Sequence, residues 1–399
     1  MIQATDPPAA NPAPAAASKK PGAAAPTESN PPPPAGATPS REPAASLREN
    51  PVQGASAESP SADGVKPHSF LIPEGSAPKP AEWKILPALE EWCPAILSGK
   101  YPELKRHEYE DTFAVERVLV NSWRVAGATR RGRIHAHQGT HREDAFRFSA
   151  APNFTILCVA DGAGSAKFSR LGSHVAVQRV TEHLAKELAQ IEPAVENSPE
   201  ALLAFLKAQI SKAVCSACLA LEEMAASAGA SPRDYRSTLL TALRYHGKSQ
   251  QLLLTNQIGD GAICVLFNDK TVQRCGAADS GEFSGEVGCF LPDDCARKKA
   301  LEVQSIAAAE KVECLMLCSD GVEDPFYPME KRAADIFRQL YTGVKKSLPD
   351  FDHQPLQPAI LTQDSVAAGL GQWLGFERRG ENDDRTILLL HRFPATVSF

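Results

Sequence analysis

The amino-acid sequence predicts an α+β domain, and three observations lead to this fold class. Short apolar runs of strand length come first, and a pair of long segments with helical spacing follows them. Further strand-like runs then precede two helical segments and a closing strand. Strands and helices grouped in this way are typical of α+β proteins, whereas a doubly wound parallel sheet would alternate them regularly.

The predicted elements can be assigned in chain order. Residues 123–127, 146–148 and 154–159 are short runs that predict strands. The segments 174–189 and 199–226 repeat apolar residues at helical spacing and predict helices. The remaining predictions are strands at 237–246, 251–258, 262–267, 271–274 and 312–318, an irregular glycine-rich loop at 275–305, helices at 333–344 and 365–373, and a closing strand at 385–392.

The N-terminal part of the chain differs from the rest in composition. Residues 1–80 hold 18 of the 32 prolines, mixed with Ala, Ser and Gly. Such a segment buries too little apolar surface to offset the entropy lost on ordering. We therefore predict a disordered tail with polyproline character, which either acts as a solvated tether or binds aromatic grooves of a partner. Residues 81–119 are predicted as a helical lead-in of unknown role, and residues 120–399 as the main domain.

Charge and apolar content limit the classes of partner. The net charge of −6 argues against nucleic acid as a primary ligand. No uninterrupted apolar stretch is long enough to cross a bilayer, and the first residues lack a basic segment before an apolar core, so we expect neither a membrane partner nor secretion. Several of the ten cysteines lie inside apolar strands, which suits reduced thiols and a cytoplasmic protein. They include Cys158, Cys264, Cys314 and Cys318.

Acidic residues recur where predicted strands end. The apolar run 156–160 stops at Asp161-Gly162, and the run 315–318 is followed closely by Asp320-Gly321. Three further sites repeat this pattern: Glu143-Asp144 beside a strand, Asp260 between two glycines, and Asp383-Asp384 before the closing strand. Carboxylates gathered in this way would repel one another unless a cation joined them. The pattern therefore predicts a site for hard divalent cations with oxygen ligands.

These motifs, taken together, resemble those of a known family. Their order is Arg-Gly, Glu-Asp, Asp-Gly-x-Gly, Ser-Thr, Gly-Asp-Gly, Ser-Asp-Gly-x-x-Asp and Asp-Asp-Arg-Thr, over roughly residues 120–393. The sequence resembles the metal-dependent protein phosphatases of the type-2C class (PPM family), in particular the bacterial branch with Arg-Gly-x-x-His, here Arg131 to His135. The resemblance implies a four-layer α-β-β-α sandwich, with two packed antiparallel sheets flanked by helices, and makes residues 120–399 a catalytic domain.

The same resemblance implies two Mn²⁺ or Mg²⁺ ions and a third, weaker one. Asp161 would bridge the first two ions, and the Gly162 carbonyl would coordinate one of them. The other implied metal residues are Asp320 and Asp383 for the first ion, Glu143 for the second, Asp144 to orient its waters, and Asp260 and Asp324 for the third.

The groups that bind phosphate and protonate the leaving group are less well defined. Many relatives carry an arginine four residues before the glutamate of Glu-Asp, where this chain has Gly139. Arg131 and His135 are the candidates for the phosphate-binding cation, with Arg133 and Arg142 in reserve, because arginine contacts phosphate oxygens bidentately. His135, His137 and His141 form either a metal-ligand cluster or a basic rim near the substrate. The proton donor is either a metal-bound water or His135.

The function implied by the resemblance is hydrolysis of phosphoserine and phosphothreonine by attack of a metal-bridging hydroxide. The substrate would be a phosphoprotein, with an opposing serine/threonine kinase as a further partner. Two alternatives stay open: a non-catalytic phosphoprotein-binding module (a pseudophosphatase) and a phosphatase acting on a small molecule.

Overall fold

The computed structural model of the chain describes residues 112–119, 122–138, 140–247, 250–276, 288–343, 359–363 and 365–393. The predicted tail at 1–80, most of the predicted lead-in and Gly139 lie outside these residues.

Eleven strands in the described part of the chain form two antiparallel sheets. The strands are β1 (Thr112–Leu119), β2 (Trp123–Arg130), β3 (Ala145–Ala151), β4 (Phe154–Ala160), β5 (Leu239–His246), β6 (Gln251–Ile258), β7 (Ala262–Phe267), β8 (Val272–Cys275), β9 (Gln304–Ile306), β10 (Val312–Cys318) and β11 (Arg385–Arg392). One sheet has the order β1-β2-β11-β10-β7-β8, and the other has the order β3-β4-β5-β6-β9. Every pair of neighbouring strands is antiparallel.

Helices cover the outer faces of both sheets. The helices are α1 (Arg133–Gln138), α2 (Ser169–Leu188), α3 (Pro193–Glu196), α4 (Pro199–Ala228), α5 (Asp294–Lys299), α6 (Asp320–Glu323), α7 (Met329–Thr342) and α8 (Val366–Trp373). The pair α2 and α4 packs on the β3–β6 side, and α7 and α8 pack on the other sheet. The predicted α+β class and the four-layer sandwich are thereby confirmed.

The alternation of side chains along β10 shows why the sandwich has three apolar layers. Leu315 and Leu317 point between the sheets, where they join Leu157 and Val159 of β4. The intervening Met316 points to the helices on the outer face. Because both faces of the strand are covered, its residues are apolar at every position from Cys314 to Cys318, with no polar residue at alternate positions.

The structure corrects the predicted helical lead-in at its C-terminal end. Residues 112–119 form β1, which pairs with β2 from Thr112 opposite Arg130 to Leu119 opposite Trp123. Only three residues, 120–122, separate the two strands in the sequence, so β1 pairs with the strand that follows it directly in the chain. The folded sheet therefore begins at residue 112, and the helical prediction for residues 112–119 is wrong.

The predicted loop at 275–305 also contains regular structure. Helix α5 lies in it, the short strand β9 begins in it, and Cys289 forms a disulfide with Cys295. The free cysteines of the described residues include the four expected as thiols, and all four are buried. Elements as short as α5 and β9 repeat too few residues to show a period in the sequence.

Helix α4 meets the length and hydropathy criteria of a membrane span, which the sequence was not expected to contain. Its apolar residues do not all face outward. Leu206, Ile210, Val214 and Leu221 lie in the core that α4 shares with α2. One face of α4 is therefore covered by protein.

Candidate active site

Asp161 follows the last residue of β4, and its backbone is held by the start of the neighbouring strand segment. Thr238, just before β5, accepts the Asp161 N–H on its hydroxyl at 2.9 Å. The Thr238 N–H in turn donates to the Asp161 carbonyl at 2.8 Å. These two hydrogen bonds hold the Asp161 backbone at the end of β4 and thereby position its carboxylate.

Asp260 and Asp320 reach the same end of the sandwich from the other sheet. Cys318, the last residue of β10, lies opposite Ala262, the first residue of β7, so the segments before and after these strands meet. One carboxylate oxygen each of Asp161, Asp260 and Asp320 falls in a group whose members lie within 4.8 Å of one another. Gly261 permits this approach: it has φ of 83°, and a Cβ there would lie 2.6 Å from the Cys318 carbonyl oxygen.

Two side chains support the turn that carries Asp260. Gln257 donates to the carbonyls of Gly259 at 3.2 Å and of Gly261 at 3.0 Å. Arg274, from β8, lies 3.4 Å from the Gly261 carbonyl and 2.5 Å from Glu323, the last residue of α6. Arg274 therefore connects the turn that carries Asp260 to the helix that begins at Asp320.

Asp384, just before β11, accepts a backbone hydrogen bond from the acidic pair Glu143-Asp144 and holds it in place. Its two oxygens accept the N–H groups of Gly132 and Glu143, each at 2.6 Å. Asp144 accepts a hydrogen bond from the Ser319 hydroxyl at 2.7 Å. Ser319 immediately precedes Asp320, so the two halves of the acidic group are joined by a buried hydrogen bond.

The electrostatics of the group favour a bound cation. Loss of water raises the pKa of Glu143 to about 7 and that of Asp144 to about 6. The same desolvation, together with the neighbouring carboxylates, holds the pKa values of Asp161 and Asp320 well above their usual range. Within the described residues, three buried carboxylate oxygens lack a hydrogen-bond partner: Glu143 Oε2, Asp144 Oδ1 and Asp320 Oδ1. Oxygen atoms in this state fit a divalent ion, which supplies the missing positive charge.

Asp383 and Asp324 lie at the solvent-exposed edge of this group. The side chain of Asp383 is 56% exposed, and its charge contributes to the raised pKa values of Asp161 and Asp320. Asp324 is exposed directly after α6, and desolvation and then the charge of Glu381 raise its pKa.

The structure thus brings Asp161, Asp260 and Asp320 together most closely, with Asp383 beside them. Gly162 is buried beside Asp161 and forms a β-bridge with Ser237. The assignment of these residues as ligands stays a prediction.

The predicted phosphate-binding cations occupy different environments. Arg131 is buried, and one of its NH groups donates to the Thr140 carbonyl at 3.3 Å. Arg142 is also buried, and its Nε lies 3.4 Å from the Asp144 carbonyl. Arg133 is exposed and forms an ion pair with Glu377. The role of phosphate binding stays a prediction for each of them.

Of the three predicted histidines, His135 lies against the acidic group. Its Nε2 is 3.8 Å from Asp383 Oδ1 and 4.0 Å from Asp384 Oδ2. Burial lowers the pKa of His135, but the charges of Asp384, Glu143 and Asp383 and the hydrogen bond to the His141 carbonyl together raise it overall. His137 is exposed and His141 is buried. Within the described residues, His135 alone of the three belongs to a group of candidate ligand atoms.

Comparison with known proteins assigns the family. The family model described as "Protein phosphatase 2C" matches residues 131–351, more than half of the 399-residue chain. The chain belongs to the protein phosphatase 2C family. The predicted family is thereby confirmed, and with it a phosphatase-type domain of the PPM class. No curated protein matches this chain.

Solved structures that resemble this protein phosphatase 2C chain share little sequence with it. The serine/threonine phosphatase Stp1 from Staphylococcus aureus is 14% identical, with 67% of this chain and 94% of that chain covered and a TM-score of 0.42. The catalytic domain of the phosphatase PstP, in complex with two manganese ions, is 16% identical, with 70% and 98% covered and a TM-score of 0.39. A C. elegans sex determining protein is 15% identical, with 67% and 64% covered and a TM-score of 0.43.

Sequence reasoning missed several residues that shape the site. Asp384 was seen only as the second carboxylate of a pair, and Ser319, Gln257 and Arg274 were not singled out. Their contacts join segments far apart in the chain: Arg274 and Glu323 are 49 residues apart, and Asp384 and Glu143 are 241 residues apart. The doubled aspartate before β11 was the one local signal that could have pointed to Asp384.

Proposed function

We propose that this chain is a serine/threonine protein phosphatase that depends on Mn²⁺ or Mg²⁺. The observation that carries the proposal is the group formed by Asp161, Asp260 and Asp320, whose ligand atoms lie within 4.8 Å of one another beside buried, unpaired carboxylate oxygens. Bound divalent ions would supply an activated water nucleophile and neutralise charge on the phosphoryl oxygens.

The protein's own residues would position these ions and the substrate. Asp161 would contact two ions, with the Gly162 carbonyl on one of them. Asp320 and Asp383 would complete the first site, Glu143 the second, and Asp260 and Asp324 a third, weaker one. Asp144, held by the Ser319 hydroxyl at 2.7 Å, would orient water beside the second ion.

Three buried free cysteines among the described residues are poor alternative nucleophiles. Burial raises the pKa of Cys158 to about 11 and those of Cys218 and Cys275 to about 12. A thiolate is the reactive form of cysteine, and these pKa values disfavour it at neutral pH. A metal-activated water is therefore a better nucleophile than these three thiols.

The physiological substrate would be a phosphoprotein whose phosphate was added by an opposing serine/threonine kinase. The reaction would take place in the cytoplasm. The proline-rich segment at residues 1–80 would bind a partner protein. The test compares Mn²⁺-dependent phosphate release from phosphothreonine peptides, phosphoserine peptides and a panel of metabolite phosphates. Faster release from the peptides supports the proposal, whereas faster release from metabolites contradicts the protein substrate. Tight phosphopeptide binding without turnover would instead support a pseudophosphatase.

A further inference from the structure

The contacts of the His135 ring favour one tautomer. The Nδ1 atom lies 2.9 Å from the backbone carbonyl oxygen of His141. A carbonyl oxygen can only accept a hydrogen bond, so Nδ1 carries the hydrogen. In the neutral ring, the lone pair then lies on Nε2, which points toward the acidic group.

The Nε2 atom faces two carboxylates without bonding to either. Its distances of 3.8 Å to Asp383 Oδ1 and 4.0 Å to Asp384 Oδ2 are too long for hydrogen bonds. The two Asp384 oxygens already accept the N–H groups of Gly132 and Glu143. Asp383 Oδ1 accepts the adjacent Asp384 N–H at 2.8 Å.

This arrangement is the one that metal-bound histidines have. Such a histidine usually donates its other ring N–H to a carbonyl or carboxylate, which fixes the tautomer and the direction of the ligand atom. Typical metal–nitrogen and metal–oxygen distances are about 2.1 Å each. An ion could therefore contact both His135 Nε2 and Asp383 Oδ1 across their present separation of 3.8 Å.

We propose that His135 Nε2 is a ligand of the same ion as Asp383, and that it makes the centre prefer a first-row transition metal such as Mn²⁺ over Mg²⁺. The other candidate ligands are oxygen atoms, which Mg²⁺ and Mn²⁺ both accept, whereas imidazole nitrogen favours the transition metal. His135 has this role only if the metal centre exists, so the inference rests on the proposed function.

Pulsed electron paramagnetic resonance can detect the bond directly. The full-length protein, stripped with a chelator and loaded with Mn²⁺, should show electron spin-echo modulation from a directly bound nitrogen. Labelling histidines with ¹⁵N should change that modulation, which assigns it to a histidine. His135→Gln should abolish it, whereas His137→Gln, on the same helix with an exposed side chain, should retain it.

Calorimetric titrations measure the preference. We expect His135→Gln to weaken Mn²⁺ binding by at least about 10-fold, while Mg²⁺ binding changes by less than 2-fold. Absence of nitrogen modulation in the wild type, or modulation that persists in His135→Gln, overturns the inference. If His135→Gln does not fold, His135→Asn is measured in its place, and it should abolish the nitrogen modulation in the same way. A wild type that hydrolyses phosphopeptides without a nitrogen signal refutes only the role of His135, whereas one that binds neither Mn²⁺ nor Mg²⁺ refutes the proposed function as well.

Discussion

The carboxylate of Asp384 accepts the backbone N–H of Glu143 at 2.6 Å and thereby holds the Glu143-Asp144 pair against the start of β11. Its second oxygen accepts the Gly132 N–H, also at 2.6 Å. Asp383, the preceding residue, has a side chain that is largely exposed. We therefore expect the two adjacent aspartates to have different roles: Asp384 stabilises the fold, and Asp383 binds the proposed ion.

Substitution of each aspartate separates these tasks. Asp384→Ala removes two charge-assisted hydrogen bonds and should lower the free energy of unfolding by about 3 kcal/mol. Asp383→Ala should change the stability of the metal-free protein little but weaken Mn²⁺ binding strongly. Urea denaturation in chelator and calorimetric Mn²⁺ titration measure the two effects. Equal loss of stability in both variants would contradict the division of roles.

Thr238 is expected to act on the metal centre through the backbone of Asp161. Thr238→Val keeps the shape of the side chain but removes the acceptor of the Asp161 N–H. We expect a loss of about 1–2 kcal/mol in the free energy of unfolding and weaker Mn²⁺ binding. Thr238→Ser keeps the hydroxyl and serves as the control, and it should retain Mn²⁺ affinity. A valine variant with wild-type Mn²⁺ affinity would show that this hydrogen bond does not position Asp161.

Arg274 forms two ion pairs that should differ in energy. Its pair with Glu323 is buried at both ends, whereas Glu330 is 59% exposed. Arg274→Met leaves the Glu323 charge buried without its partner and should destabilise the protein by about 3 kcal/mol. Glu330→Gln should change stability by less than about 1 kcal/mol.

A double variant tests the cause of the Arg274 effect. Because Glu323→Gln removes the buried charge, adding it to Arg274→Met should restore part of the lost stability, as measured by urea denaturation. If the double variant is as unstable as the sum of the two single variants, the ion pair does not explain the effect of Arg274→Met.

The acidic group predicts an unusual pH dependence for the metal-free protein. Folding raises the pKa of Glu143 from 4.5 to about 7 and that of Asp144 from 3.8 to about 6. Between these values the folded state binds more protons than the unfolded state, so the free energy of unfolding falls as the pH rises from about 4.5 to about 7.

Urea denaturation in chelator at pH 5 and pH 7.5 measures this slope. Asp144→Asn, which cannot ionise, should reduce it. Saturating Mn²⁺ should raise stability more at pH 7.5 than at pH 5, because metal binding displaces protons from its ligands. A metal-free protein that is more stable at pH 7.5 than at pH 5 would contradict the raised pKa values.

Local patterns predicted the α+β class and selected acids that the structure brings together, whereas the sandwich was implied only by the family resemblance. Asp161 and Asp320 each follow an apolar strand directly or after one residue, so their position at a sheet end could be predicted. Strand β1 could not, because residues 120–122, which separate it from β2 in the sequence, include no glycine or proline to indicate a hairpin. The tasks of Asp384 and Arg274 were also hidden, since their partners come from distant parts of the chain.

The most direct measurement of the central claim is Mn²⁺-dependent phosphate release from a phosphothreonine peptide by the wild type and by Asp161→Asn. The proposed metal centre predicts turnover by the wild type that chelator abolishes and Mn²⁺ restores. It also predicts a loss of at least about 100-fold in the variant, since Asp161 would hold two ions at once. Turnover by Asp161→Asn at the wild-type rate, or no turnover by a Mn²⁺-loaded wild type, would contradict it.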